Sequence, residues 1–303
     1  MLLQLFRISY QEDIRELAIM EKIYLGCHLS VAKGYAAAAK QAVSIGANTF
    51  QFFTRNPRGG RVRKKDEKDI AKLAEIMEEY DFGPLLAHAP YTMNLCSAKE
   101  DVREFARKIF KEDIERMNDL PRARFLFHPG SHTGQGAEKG IQMIVDAINE
   151  AVTDDEGPAV LLEGMSGKGS EVGRNFDELR QIIQGADHSR RLGIIIDTCH
   201  MHAAGYDIVN NLEGVLDEID EKIGLDRVMG VHVNDDMNEL GSHKDRHQAI
   251  GKGTIGLGAI AAVVSNERLA GRPFNLETPH DDISEYGDEI RMIREAIGAA
   301  PAR

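Results

Sequence analysis

Hydrophobic residues in this chain follow two alternating rhythms. Short, nearly unbroken apolar runs stand at 23–29, 48–53, 84–88, 124–128, 159–163, 192–197, 228–233 and 273–277. Runs of this kind have no polar side to offer water and read as strands buried on both faces. After each run, apolar residues recur at i, i+3 and i+4, over 31–45, 66–80, 99–118, 137–151, 175–184, 211–222, 255–265 and 283–298. That spacing is the signature of helices with one core-facing side. Eight strands, each followed by a helix, predict an α/β fold: a (β/α)8 TIM barrel in one domain. A doubly wound sheet is the competing architecture, but it needs a strand order that the sequence does not display. Residues 1–22 are charged and mildly amphipathic, with Ile14, Leu17 and Ala18 at helical spacing. They read as an N-terminal extension, with Met20 as an alternative start, ahead of a barrel domain at 23–303.

Composition narrows the setting. No apolar run approaches the roughly 18 residues of a membrane-spanning helix, and the first residues lack the cleavage pattern of a signal peptide. Cys27, Cys96 and Cys199 are too few and too scattered for a disulfide framework. A cytoplasmic protein without membrane contact, working as a monomer, is expected. The net charge of −12 argues against coating nucleic acid by bulk charge. It leaves room for an enzyme that meets DNA through one local site.

The chemistry lies where the strands end. The third run closes on His88, the fourth on His128, the fifth on Glu163 and the sixth on Asp197, with His200 just beyond. The seventh carries His232, followed by Asn234 and Asp235, and the eighth closes on Glu277. Asp245-Arg246-His247 lies between the last two. In a barrel, six consecutive strands would deliver these groups to one rim, where barrel active sites are built. Clustering Glu163, Asp197, Asp245 and Glu277 without cations would be costly. Neutral histidines cannot compensate, whereas divalent metals can. Five imidazoles and four carboxylates exceed the needs of one ion, since zinc takes about four ligands. Two or three ions are implied, with room for water or substrate. His28, His132 and His202 fall nearby without matching the pattern, and read as supporting or rim residues.

The chain resembles the endonuclease IV class of apurinic/apyrimidinic endonucleases. The resemblance rests on Gly26-Cys27-His28-Leu29-Ser30, Phe127-His128-Pro129-Gly130-Ser131-His132, Asp197-Thr198-Cys199-His200, His232-Val233-Asn234-Asp235, Asp245-Arg246-His247 and Leu276-Glu277-Thr278. It implies a TIM barrel with three Zn2+ ions per chain. His88, His128 and Glu163 would hold one; Glu163 would bridge to a second with Asp197, His232 and Glu277; His200, Asp245 and His247 would hold the third. It further implies hydrolysis of damaged double-stranded DNA 5′ to abasic sites, leaving 3′-hydroxyl and 5′-deoxyribose phosphate ends, together with trimming of blocked 3′ ends. Glu163 and Glu277 would be catalytic, positioning the nucleophilic water. Arg58, Tyr91 and Arg246 would contact DNA. Gly59 after Arg58 and Thr92 after Tyr91 depart from the family's usual bulky neighbours.

Three further stretches bear on the reading. Arg55, Arg58, Arg61, Arg63, Lys64 and Lys65 form a basic loop after the second strand, and phosphate contact is expected of it. Gly251-Lys252-Gly253-Thr254-Ile255-Gly256 spells the glycine pattern of a dinucleotide loop but does not follow an opening strand. Gly167-Lys168-Gly169-Ser170 lacks the spacing of a P-loop. Both read as backbone turns that approach the site closely, where glycine is needed for steric reasons. The rival function is a one-metal sugar isomerase or epimerase using Glu163, Asp197, His232 and Glu277. It would leave His88, His128, His200, Asp245 and His247 without a role. A non-enzymatic metal-binding module is more remote, because a rim site stays open to substrate.

Overall fold

The computed structural model describes residues 23–56, 62 and 64–298. The predicted extension at 1–22 lies outside the described residues. In chain order the strands are β1 (Tyr24–His28), β2 (Phe50–Phe53), β3 (Leu85–His88), β4 (Ala123–Phe127), β5 (Val160–Glu163), β6 (Leu192–Asp197), β7 (Val228–Val233), β8 (Asp235–Asp236), β9 (His247–Gln248) and β10 (Pro273–Leu276). All except β8 and β9 are parallel and close into a barrel in sequence order, with β10 between β7 and β1. The barrel expectation holds, and the strand ends fall within two residues of the apolar runs. Strand β2 starts two residues into the second run; Asn48 still lies beside β1, its N–H donating to the Leu25 carbonyl while its side chain accepts from Leu25 N and donates to Ile23 O.

Among the described residues the helices are α1 (Tyr35–Ser44), α2 (Glu67–Glu79), α3 (Glu100–Met117), α4 (Ala137–Ala151), α5 (Phe176–Gly185), α6 (Thr198–Ala204), α7 (Leu212–Lys222), α8 (Gly256–Ser265) and α9 (Ile283–Ala296). Local chemistry starts several of them. The Asp66 carboxylate accepts from Lys68 N and Asp69 N at α2, and Asp282 with Glu285 forms a reciprocal capping box at α9. Apart from three single-turn 3-10 helices, helix α6 and the antiparallel β8–β9 ribbon, which pairs Asp235 with Gln248 and Asp236 with His247, have no counterpart in the sequence reading. Both are too short to leave a periodic trace. No helix among the described residues is long and apolar enough to cross a membrane.

The period-two geometry of each strand divides its side chains between two layers. Outward-facing residues such as Phe50, Phe52, Phe125 and Phe127 join the large core under the helices. Phe110 of α3, for example, packs edge-on against Phe127 with ring centroids 4.8 Å apart. Inward-facing Leu86, Leu126, Leu161 and Ile195 form a separate apolar plug inside the barrel. The next inward positions towards the strands' C-terminal ends are no longer apolar.

Candidate metal centre

Above the plug, the carboxyl ends of the strands deliver the predicted groups to one place. His88, Glu163 and Asp197 are the last residues of β3, β5 and β6, and His232 lies one residue before the end of β7. His128 and Glu277 follow β4 and β10 directly, one residue beyond the observed strand ends. His200 comes from α6, whose start is fixed by the Asp197 side chain accepting from His200 N at 3.0 Å. Asp245 and His247 arrive on the excursion between β7 and β10, and β9 pins His247.

Imidazole and carboxylate donors in this cluster meet in three adjacent groups, each with its atoms within 4.8 Å of one another: His88–His128–Glu163; Glu163–Asp197–His232–Glu277; and His200–Asp245–His247. Glu163 is shared by the first two. Its Oε2 faces His88 Nε2 at 3.4 Å and His128 Nε2 at 3.2 Å, while its Oε1 faces His232 Nδ1 at 3.1 Å and His200 Nδ1 at 3.3 Å. The third group closes through Asp245 Oδ1, 3.4 Å from His200 Nε2 and 3.3 Å from His247 Nε2. All nine predicted residues therefore come together. Asp197 and His247 also approach Cys199, a fully buried thiol that sequence reading left without a role.

The hydrogen bonds at the back of the rings show what this centre can hold. Nδ1 of His88 faces the Ala89 carbonyl, Nδ1 of His200 the Gly164 carbonyl and Nδ1 of His247 the Glu277 carbonyl. A ring nitrogen beside a carbonyl must donate to it, which leaves the other nitrogen, in a neutral ring, as a bare lone pair. In each case that other nitrogen, Nε2, points at a carboxylate oxygen. His232 is the mirror case: Nε2 meets Gln51 Oε1 at 2.6 Å, so Nδ1 faces Glu163, Asp197 and Glu277. Lone pair against carboxylate is repulsive, and Glu163 Oε2 and His247 Nε2 are buried without a hydrogen-bond partner. The conflict disappears if positive charge lies between them. Imidazole nitrogen and carboxylate oxygen, supported from behind by carbonyls and amides, are a donor set that suits zinc.

Electrostatics without metal point the same way. Burial opposes charge on every group, yet at most of them neighbouring charge wins. His200 and His232 are held well above the ordinary imidazole value, because Asp197, Asp245 and Glu163 outweigh burial at the first and Glu277 and Glu163 at the second. His128 is raised by Glu163 against its own burial. His88 goes the other way, pushed down mainly by burial and also by His128. Among the carboxylates, burial is overcome at Glu163 by His232 and His128, at Asp197 by His200 and His247, and at Asp245 by His200, which brings Asp245 to about 2. Glu277 is likewise depressed, chiefly by His232. The cluster attracts protons to its rings when nothing else supplies positive charge.

Several supporting residues carried little signal in the sequence. Gln51, in the middle of β2, accepts from His232 and donates to Glu277 Oε1 at 2.5 Å. Asn234 donates to Asp197 Oδ2 at 2.7 Å and accepts from Glu277 N at 2.9 Å, tying two carboxylates together. His28 lies 3.9 Å from Glu277, and His202 meets Asp236 at 3.0 Å, so both are supporting residues. His132 stays out of the cluster and accepts from Gly136 N ahead of α4.

The basic loop divides. Arg55 does not face solvent: it is buried, and its guanidinium grips Asp113 of α3 at 2.7 and 2.9 Å, with Thr54 on the same carboxylate at 2.6 Å. Phosphate contact fails for this residue, because its charge is already consumed by a buried partner distant in sequence. Lys65 pairs with Asp119 at 2.7 Å. Arg58, Arg61 and Arg63 lie outside the described residues. Tyr91 stands on the rim, about half exposed, with its ring edge-on to Phe53 and near His128 and Asn94. Arg246 is exposed between Asp245 and His247 and donates to the Asp245 carbonyl.

Fold and rim together define a barrel of the xylose isomerase-like TIM class, and the model of that family matches residues 39–296. A likeness to a D-tagatose 3-epimerase-like protein (TM-score 0.66, 18% identity, 91% of this chain and 98% of that one) reflects this shared fold alone. Closer relatives resolve the class further. The chain is 52% identical to the probable endonuclease 4 of Alkaliphilus oremlandii over 90% of its own length and 96% of that protein. Its backbone superposes on crystalline endonuclease IV from Thermus thermophilus with a TM-score of 0.81 at 33% identity, covering 91% of this chain and 100% of that one. The chain belongs to the endonuclease 4 family, and it is an enzyme of the hydrolase class.

Proposed function

We propose that this enzyme is a zinc-dependent DNA repair endonuclease that hydrolyses the phosphodiester bond 5′ to abasic sites in duplex DNA. The products are a 3′-hydroxyl and a 5′-deoxyribose phosphate, and blocked 3′ ends are trimmed at the same site. The observation that carries the reading is the set of ring nitrogens aimed at carboxylates in three linked groups. Three zinc ions would be held by His88, His128 and Glu163; by Glu163, Asp197, His232 and Glu277; and by His200, Asp245 and His247. Bound there, divalent ions would make hydroxide accessible near neutral pH and offset charge on the attacked phosphate and the departing oxygen.

The side chains divide the remaining work. Glu163, a member of two of the ligand groups, would be shared between their ions. Glu277, held by Gln51 and Asn234, points its carboxylate inward and with Glu163 orients the attacking water. Carbonyls behind His88, His200 and His247 keep each ring in one tautomer, so the donor nitrogens need no rearrangement. Arg58, Tyr91 and Arg246 contact the DNA, with Tyr91 exposed at the lip where a lesion would enter. The barrel at 23–303 acts as one domain, as a monomer in the cytoplasm.

A duplex with a single abasic site tests this directly. The purified enzyme should nick it without added magnesium, and His200→Ala should remove most of the nicking while leaving the circular dichroism spectrum intact. Unimpaired nicking by His200→Ala would reject the third seat. Epimerisation of a ketose with no nicking would favour the one-metal alternative.

A further inference from the structure

The glycine-rich stretch Gly251–Gly256 folds as the turns the sequence suggests, and the structure also shows what the turns enclose. The Asp235 carboxylate is fully buried and accepts backbone N–H groups from Gly251 (2.9 Å), Gly253 (3.0 Å), Ile255 (2.9 Å), Gly256 (3.2 Å) and its neighbour Asp236 (2.9 Å). Converging main-chain N–H groups of this kind form a nest that elsewhere cradles phosphate. Here the anion is the chain's own. Gly253 is required by this closeness, since a Cβ there would lie 2.4 Å from Asp235 Oδ1 and 2.3 Å from the Asp236 carbonyl.

The location gives the arrangement its meaning. Residues 237–246 contain no buried side chain, so apolar packing cannot fix Asp245. Apolar anchoring comes only at the far end, where Ile250 and Ile255 enter the core; the rest is held by polar contacts: the β8–β9 ladder, Asp236 on His202, Gly241 N and His243 N on the carbonyls of His202 and Ala203, Ile250 N on Glu289, and the nest on Asp235. Asp235 touches both ends of the excursion, through its backbone pairing with Gln248 and through its carboxylate on residues 251–256.

We propose that Asp235 is a positioning residue: its carboxylate is the internal anion around which residues 236–256 fold, and it thereby sets the approach of Asp245 and His247 to His200. The inference rests on the metal reading above. Removing the anion leaves mutually repelling N–H dipoles and frees the excursion, so the seat built from Asp245 and His247 weakens, whereas those centred on Glu163, which stand on barrel strands, do not.

The test is chelator-driven zinc release from the full-length loaded protein, with circular dichroism as the control for folding. Asp235→Asn, which keeps volume but turns a donor towards the nest, should release roughly one third of its zinc about tenfold or more faster than wild type, the remainder at the wild-type rate. Asp235→Gly should behave likewise, and formate or acetate should slow its fast phase by refilling the nest. Uniform acceleration of all the zinc, no acceleration, a fast phase indifferent to these anions, or failure of both variants to fold would each overturn the proposal. Wild-type protein that holds a single ion would instead overturn the metal reading on which it stands.

Discussion

Inside the barrel, four strands make the same two-residue step from one kind of chemistry to another. Leu86, Leu126, Leu161 and Ile195 point inward and pack into a closed apolar plug. Two positions on, His88, His128, Glu163 and Asp197 point inward as well, but they meet as donors instead of packing. Backbone geometry is shared, and what differs is how each layer is satisfied. The plug needs only the exclusion of water, and each side chain contributes on the order of 1.5–3 kcal/mol by its burial. The upper layer is satisfied only by positive charge, supplied by protons or metal. Stability and function are thus stacked on the same strands, a short distance apart.

Strand β5 offers the sharpest way to break this comparison, because Leu161 and Glu163 sit on it together. Glu163→Gln should reduce abasic-site nicking by about a hundredfold or more, since even residues that merely support metal ligands are worth 10–100-fold. Steady-state nicking rates measure it, and a variant within threefold of wild type would place the bridging role elsewhere. Leu161→Ala should lower unfolding free energy by about 2–5 kcal/mol through the cavity it leaves. It should keep its full complement of metal. Urea titration with metal analysis reads both; a plug variant that loses metal in proportion to stability would mean the two layers are not separable.

A smaller effect distinguishes the layers by pH. In metal-free protein, His128, His200 and His232 titrate above the ordinary value of 6.5. A group whose folded pKa is raised contributes stability that is complete below 6.5 and is lost as the pH climbs through the folded value. Melting temperature of the metal-free enzyme should therefore fall from pH 6.5 upwards. Zinc competes with those same protons, so the loaded enzyme should resist a chelator better as pH rises. A metal-free melting temperature that is flat or rising over this range would contradict the assignment of charge to the rings.

Most of the architecture was legible because fully buried strands leave unbroken apolar runs, and most of the ligands were legible because they lie at or within a few residues of the end of such a run; Asp245 and His247, well past β7, stood out only as a close Asp/His pair. What escaped has equally physical reasons. Gln51 is a neutral amide inside a strand, and nothing local says that it links His232 to Glu277. Helix α6 and the β8–β9 ribbon are held by side chains and single ladder bonds, not by a repeating apolar face. Arg55 looked like part of an exposed basic loop because its partner, Asp113, lies on a helix 58 positions further along. The glycines at 251–256 read only as close-approaching turns, and nothing local showed that these turns enclose a carboxylate placed sixteen residues before Gly251 in the chain.

The enzyme's proposed chemistry depends on nine side chains forming one centre for several ions. Metal analysis of the purified enzyme, by mass spectrometry under native conditions, tests that most directly. About three zinc ions per chain are expected, from nine donor residues at about four ligands each with one residue shared and water completing the spheres. A single bound ion, retained at the Glu163–Asp197–His232–Glu277 group while the other two stay empty in excess zinc, would contradict it.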